Sequence, residues 1–492
     1  MSQPVTVWFV ASEVAPYAKT GGLADVAGSL PDALRGVGVN VSVALPFYKT
    51  VKDKGITAKP ILENLPVPVA GRTLPCNVWQ TEAGTGGSVF LFDNPEFFDR
   101  PDLYGTAQGD YPDNLERFTF LNRAVLALAK ATGTHVDVLH CHDWQAALIP
   151  AYLKTIYAGD PFFYRIASLF TIHNMGYQGI FPARGLAVCG LPDSEFHMEG
   201  IEYWGGLSLL KAGIVYSDAL TTVSPTYSLE IQTPEFGLGM DGILRRRSDR
   251  LFGILNGADY GVWNPATDVH IPSRYTAEDR TGKRACKAVL IHEAGLDERL
   301  LDRPVCGVIS RLTVQKGYEL IMDAVEEILQ FDVGLVILGA GEEKYERAMA
   351  ALGEKYPAQV GVWLGFDEPL AHRIMAGSDT LLVPSLYEPC GLTQLHAMKY
   401  GTVPIVRGTG GLEDTIVAFD PETGSGTGFT FYGHDSADFV SEIHRAIKLY
   451  EDASMWGKIV DNCMAADFSW ERSARRYLDL YEELSARKRH GV

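Results

Sequence analysis

Residues 5–45 read VTVWFVASEVAPYAKTGGLADVAGSLPDALRGVGVNVSVAL, and the succession of residue types within them decides the fold class. The run 5–10 is short, apolar and rich in β-branched and aromatic residues, 23–36 has helical spacing, and 39–45 is a second apolar run. That is the strand–helix–strand rhythm of a parallel sheet, and it predicts an α/β protein. Working outward, the same reading predicts buried strands at 88–92, 136–140, 166–172 and 219–223, with helices at 114–131 and 144–157. The segment NGADYGVWNP at 256–265 is dense in Gly, Asn and Pro and reads as a joint. Beyond it the rhythm restarts with strands at 305–309, 335–338, 362–364, 380–383 and 403–406, each separated by a helix-length segment. A second doubly wound domain follows. The expected division is 1–257, 258–468 and a C-terminal helical segment 469–492 long enough to return to the first domain.

At 492 residues the chain has room for two cores. Hydrophobic residues make up 46% and charged residues 21%, an ordinary globular balance. The formal charge of −18 repels phosphate backbones and anionic lipid at long range, so neither nucleic acid nor membrane is an expected partner. An anionic substrate would have to be met by a few local Lys and Arg residues. The seven cysteines are scattered without a C-x-x-C pair, which fits a reducing cytoplasm better than a metal or redox motif. The apolar run 5–10 has no basic residue before it and meets Glu13 soon after, unlike a signal peptide. No window approaches the roughly 18 apolar residues of a membrane span. A cytoplasmic protein is expected, rather than one imported into an organelle.

Lys19-Thr-Gly-Gly-Leu-Ala-Asp25 sets paired glycines between a strand and a helix, with a lysine alongside. Glycine lets backbone approach a ligand, a helix start offers N–H groups, and Lys19 adds positive charge, which together make an anion site. A plain Gly-rich turn is the alternative. The spacing is neither that of the phosphate loop G-x-x-x-x-G-K-[ST] nor that of the dinucleotide turn G-x-G-x-x-G. Thr409-Gly410-Gly411-Leu412-Glu413-Asp414 echoes it, again between a strand and a helix. Chance similarity aside, two facing domains would present both loops to one cleft.

Arg311 and Lys316, in SRLTVQKG, follow the strand 305–309. They suit a diphosphate, Arg as a bidentate donor and Lys as a point charge, whereas the helix dipole argues against a merely solvated cationic turn there. Glu388-Pro-Cys-Gly-Leu-Thr393 precedes a helix expected at 392–400 and offers a carboxylate for sugar hydroxyls with amides beside it. Simple helix capping would use the same residues. His140-Cys-His142-Asp143 and Thr171-Ile-His173-Asn174 close strands, where α/β proteins place their ligand crevice. A metal held by His140, His142, Asp143 and His173 is not expected, on the argument that alternate residues of a strand face opposite ways and no compact ligand spacing is present. Taken singly, each imidazole suits a buried, hydrogen-bonded role.

Together, KTGGLADV at 19–26, HDWQA at 142–146, TIHN at 171–174, SRLTVQKG at 310–317 and EPCGLTQLHAMKYG at 388–401 resemble, in order, the bacterial glycogen synthases and plant starch synthases. The resemblance runs over essentially the whole chain. It implies the GT-B architecture, two Rossmann-like doubly wound domains facing across a deep cleft. It also implies a retaining hexosyltransferase of glycogen biosynthesis that moves glucose from ADP-glucose to the non-reducing end of an α-1,4-glucan, with no metal or cofactor. By position, Lys19, Gly21 and Gly22 would face the donor diphosphate and glucose, and Arg311 and Lys316 would hold the phosphates from the other domain. Glu388 matches a glutamate near the donor glucose, with Cys390, Gly391, Leu392 and Thr393 adjoining. His173 matches a histidine against the transferring sugar, with Asn174 beside it, and Asp143 an acidic residue near the catalytic pocket. Asn256, in ILNG, matches a cleft asparagine, and Tyr104 a tyrosine near the sugar. Phe366, in WLGFDEP, aligns with an adenine-stacking aromatic that is often Tyr in relatives; the π-face is kept and a hydroxyl lost. The catalytic set implied is His173, Arg311, Lys316, Glu388 and Asp143.

Against the broader GT-B pattern of two glutamates eight positions apart, the second falls on His396. That favours this branch over sucrose-type relatives and leaves the ribose contact unassigned. A nucleotide-dependent oxidoreductase would need G-x-G-x-x-G after its first strand, where ASEVAPYAKTGG stands instead. A glucan-binding protein without activity would not need Lys19, Arg311, Lys316 and Glu388 together. No residue read from sequence decides between ADP-glucose and UDP-glucose.

Overall fold

A computed structural model gives the structure of the protein and describes residues 4–84, 86–106 and 108–490. The chain forms two units: Met1–Val223 with Ser228–Gly257 and Trp470–Val492, and Ser224–Tyr227 with Ala258–Ser469. Ser224–Tyr227 thus groups with the second unit, where the sequence reading had kept everything up to 257 in the first.

In the first unit nine strands form one sheet in the order Leu251–Gly253, Ala219–Thr222, Ala167–Ile172, Val138–His142, Thr6–Val10, Asn40–Pro46, Gly87–Asp93, Arg72–Ala83 and Lys59–Val69. The first seven of these are parallel. Val7 lies opposite Val41 on one side and Val138 on the other. Both faces of these strands are covered, which is why they read as continuous apolar runs. Chain order grows one way from Thr6–Val10 through Asn40–Pro46, and the other way from Val138–His142 through Ala167–Ile172. The winding therefore reverses between Thr6–Val10 and Val138–His142, and ligands of doubly wound sheets bind outside the strand ends at such a point. Ser12 and Glu13 follow one of these strands and Asp143 the other.

The second unit repeats the plan with six parallel strands in the order Val360–Leu364, Gly334–Gly339, Val305–Ile309, Thr380–Val383, Val403–Arg407 and Phe429–Phe431. Its winding reverses between Val305–Ile309 and Thr380–Val383, the strands that lead to Arg311 and Lys316 and to Glu388. One part of its core runs from Val308, Ile337 and Leu381 in the sheet to Tyr318, Ile321 and Val325 on the covering helix Tyr318–Gln330, and a second cluster gathers Val305, Val336 and Leu338 with Leu290 and Ile374.

Three departures from the sequence reading have physical causes. The antiparallel pair Lys59–Val69 and Arg72–Ala83 was not expected, because Pro60, Pro66 and Pro68 break a strand pattern; they are tolerated on the outermost strand. The helix expected at 144–157 is two helices, Asp143–Ala146 and Leu148–Lys154. Pro150 has no N–H to give. The carboxamide of Asn122 takes the Ile149 N–H at 2.9 Å and donates to the Gln145 carbonyl at 2.6 Å, replacing the turn's own bond. Finally, His140 and His142 share a face of their strand, as residues two apart do, with ring centroids 4.1 Å apart. Strand direction therefore does not set these two imidazoles on opposite faces, contrary to the expectation from sequence.

The helix Trp470–His490 packs within the first unit against Gly22–Gly36. At the point of re-entry a methyl on Gly257 would lie 2.6 Å from the Trp470 Cα, so only glycine fits. Tyr481 on that helix reaches His140 Nδ1 at 2.7 Å. All seven cysteines are buried and unbridged. Among the described residues no helix is long and apolar enough to cross a membrane.

Candidate active site

In the first unit the site is organised by a residue that the sequence reading passed over. Glu13, buried just beyond the central strand, accepts the Thr20 N–H at 2.5 Å, the Gly21 N–H at 3.0 Å, the Thr20 hydroxyl at 2.7 Å and the Tyr104 hydroxyl at 2.7 Å. Tyr104 also meets Ser12 Oγ at 2.7 Å. One carboxylate thus fixes the turn that carries the glycine pair, and Tyr104, expected beside the sugar, serves the same loop. Lys19 pairs with Asp25 at 2.7 Å, partly open to solvent. A Cβ added to Gly21 or Gly22 would meet nothing within 4 Å. The protein's own packing does not call for glycine there. In the echo loop it does, since a Cβ on Gly411 would lie 2.1 Å from the Cys390 carbonyl.

Next to this loop in strand order stands a cluster of imidazoles. His142 Nδ1 is 2.9 Å from His173 Nε2, and His140 is held by Tyr481 and by Thr171 Oγ1 at 2.6 Å. Both ring nitrogens of His140 are thereby occupied. Burial pushes the His140 and His142 imidazoles well below their ordinary range and His173 down to about 3, so all three are neutral at pH 7. Asp143 turns the corner out of its strand with a left-handed φ of 53° and accepts the His173 N–H at 2.8 Å. Asn174 Oδ1 accepts the Gly176 N–H at 2.8 Å, shaping the turn that follows. Asn256 is buried, one residue before the chain leaves the first unit at Gly257.

Desolvation pushes the Asp143 carboxyl up to about 7, against the lowering effect of the His173 and Asn174 backbone N–H groups. The folded protein keeps a proton that the unfolded chain releases near pH 4, so this group's contribution is full below that pH and is lost as pH rises towards 7. The displacement is worth roughly 4 kcal/mol in all. Asp143→Asn keeps an acceptor without a titration. The urea midpoint of the Asn variant relative to the parent is expected to climb between pH 4.5 and 7.5, and a pH-independent difference would refute the assignment.

In the second unit Lys316 and Glu388 form an ion pair at 2.5 Å, and Ser385 Oγ donates to the same carboxylate oxygen at 2.9 Å. The lysine's turn is locked by Gly317, whose φ is +75° and where a Cβ would sit 2.0 Å from the Pro384 carbonyl. Gln315 ties it to the Tyr387 carbonyl at 3.2 Å. Arg311 lies exposed on the same loop, with Nη2 3.5 Å from Gln315 Oε1. The Glu388 carbonyl accepts the Gly411 N–H at 3.0 Å, joining the glutamate segment to the echo loop. Cys390 is buried, Gly391 takes a φ of +72°, and Leu392 caps the helix Thr393–Lys399, one residue shorter at each end than expected. Phe366 is 79% exposed, after Val360–Leu364. His396, at the position of the broader pattern's second glutamate, stacks on Trp263 at 4.2 Å and 5°, and His372 stacks on the indole's other face at 3.8 Å and 8°.

Each unit thus sets its polar residues at its own switch point, cations and a carboxylate in the second, a glycine turn and neutral imidazoles in the first. Such residues can neutralise a diphosphate and hold hydroxyl groups by hydrogen bonds.

Residues 6–246 match the family model described as the starch synthase catalytic domain, and residues 297–462 match that of the glycosyl transferases group 1. The chain is 45% identical over 475 residues to the glycogen synthase of Koribacter versatilis, covering 96% of this chain and 97% of that one. It is 43% identical over 487 residues to the glycogen synthase of Thermotoga maritima, covering 98% and 99%. Its structure matches the catalytic domain of starch synthase IV from Arabidopsis thaliana bound to ADP and acarbose, with a TM-score of 0.92 and 34% identity over 99% of this chain and 100% of that one. Sucrose-phosphate synthase from Thermosynechococcus elongatus, at 17% identity and a TM-score of 0.60, shares the fold.

Proposed function

The chain belongs to the glycogen and starch synthase family of GT-B glycosyltransferases, and from that premise we propose that it transfers glucose from ADP-glucose to the non-reducing end of an α-1,4-glucan with retention of configuration. The bond between the anomeric carbon and the diphosphate breaks, and one to the acceptor's 4-oxygen forms. The acceptor's proton leaves with the diphosphate.

The observation that carries this reading is the Lys316–Glu388–Ser385 arrangement beside Arg311 at the second unit's switch point. A nucleoside diphosphate leaves with growing negative charge, and fixed cations lower that barrier more than any other available term. Lys316 has three N–H groups, and its bond to Glu388 aims the ammonium while leaving two to donate. Glu388, buried and held by Lys316 and Ser385, acts first by placing that charge. The first unit then handles the sugars. The Gly21–Gly22 turn admits the donor, and neutral His173 with Asn174 offers hydrogen bonds to hydroxyls without placing a second positive charge beside them. Phe366 provides an open π-face for a base.

Incubating the protein with glycogen and either ADP-glucose or UDP-glucose, and following nucleoside diphosphate release, tests donor and activity together. Release from ADP-glucose is expected to be at least tenfold faster, and degradation of the labelled product by a strictly α-1,4-specific hydrolase is expected to free the new glucose. Faster release from UDP-glucose would overturn the donor assignment.

A further inference from the structure

The hairpin Glu202–Tyr203 and Gly206–Ser208 turns through Trp204 and Gly205, with φ of 51° and 81°. A two-residue turn of this kind takes Asn, Asp or Gly at its first position. Here it takes tryptophan, in a left-handed conformation, with 86% of its surface exposed. A large apolar ring gains nothing for folding at such a place, and strain kept at the surface points to function. Leu238, on a neighbouring turn, repeats the pattern with a φ of 46° and 43% exposure.

The two turns are fastened together. The Leu238 carbonyl accepts Tyr203 OH at 2.8 Å and Gln178 Nε2 at 3.1 Å. A Cβ on Gly239 would fall 3.7 Å from the Trp204 indole nitrogen. Tyr177 and Ile180, both about half exposed, flank Gln178 on the segment that leaves His173 and Asn174. The patch is therefore aromatic at two points, held by hydrogen bonds that include the Glu202 carboxylate on the Gly205 N–H at 2.7 Å, and continuous along the chain with His173 and Asn174.

We propose that Trp204 and Tyr177, framed by Leu238 and Ile180, form a stacking platform for the acceptor glucan beyond the transfer site, which rests on the glucan-transferring function proposed above. The C–H faces of pyranose rings carry slight positive charge and meet the negative faces of aromatic rings, while their hydroxyls stay in water. A neutral, ring-built polymer is the ligand that two open aromatic rings fit, since the one carboxylate of the hairpin, Glu202, is tied back to its own turn and a chain of net charge −18 repels anions.

The test compares parent, Trp204→Asn and Trp204→Phe in the full chain. Asn suits the left-handed position, so the Trp204→Asn variant is expected to melt no lower than the parent. Its retardation in native gels containing glycogen is expected to weaken at least fivefold without any donor present, with Trp204→Phe in between. In turnover assays its KM is expected to rise more for glycogen than for maltotriose. Undiminished retardation by glycogen in Trp204→Asn overturns the platform. So does a concentration-dependent dimer of the parent that Trp204→Asn abolishes while glycogen retardation stays. If the parent turns over neither sugar nucleotide, the functional reading fails instead, and the donor-free gel still decides the platform.

Discussion

Lys316→Ala is expected to lose about 10² to 10³ in kcat, the usual cost of removing one preorganised group that stabilises a developing anion. The ion pair with Glu388 makes the experiment more telling than an ordinary deletion. Removing the ammonium leaves the buried Glu388 carboxylate with Ser385 as its remaining hydrogen-bond partner from the pair's own network, so the variant is also expected to lose stability. Breaking a fully buried pair costs about 3–5 kcal/mol, and because Lys316 is partly open to solvent about 1–3 is expected here. The two losses have different remedies. Adding Glu388→Gln takes away the orphaned charge and is expected to restore the thermal midpoint to near the parent's, while turnover stays low. Single-turnover kinetics with saturating donor, beside melting curves for both variants, separate the effects. A well-folded Lys316→Ala protein turning over at close to the parental rate would remove the electrostatic role.

Much of this arrangement was visible in the residues because parallel strands covered on both faces must be apolar along their whole length. Val305–Ile309 and Thr380–Val383 have the bounds that reading gave them, and Arg311, Lys316 and Glu388 were noticed because polar residues directly after such strands stand out. What escaped depends on partners distant in sequence. Nothing local shows that Asn122 will replace a helical bond between Gln145 and Ile149. Nor does the segment around Trp263 announce that its indole will be enclosed by His372 and His396. The outermost strand Lys59–Val69 was hidden by prolines that its position allows. In the site itself Glu13 shows in sequence only as a charge that sets the segment apart from a signal peptide. Its signal was the isolation of one carboxylate just past an apolar strand and seven residues before Thr20.

Glu13→Ala is the second large effect. The carboxylate holds two backbone N–H groups of the glycine turn and two hydroxyls, and alanine leaves the amides of Thr20 and Gly21 without their acceptor. Hydrogen bonds to a charged group are worth about 1.5–3 kcal/mol each, and after relaxation and water entry a net loss of about 2–4 kcal/mol is expected. Activity is expected to fall further than stability alone would carry it. A turn displaced by about 1 Å costs on the order of 10² in rate when it positions the reacting group. Glu13→Gln discriminates between a charge effect and a scaffolding effect. Its amide oxygen can serve the two N–H groups while its NH₂ meets hydroxyls that rotate to accept. If Glu13 is a scaffold, the Gln variant recovers most of the stability and at least a tenth of the parental kcat/KM. If the negative charge were what mattered, Gln would behave like Ala. Equal kcat/KM for Glu13→Ala and the parent would show that the glycine turn needs no such support, and would leave Lys19 and its loop outside the reaction.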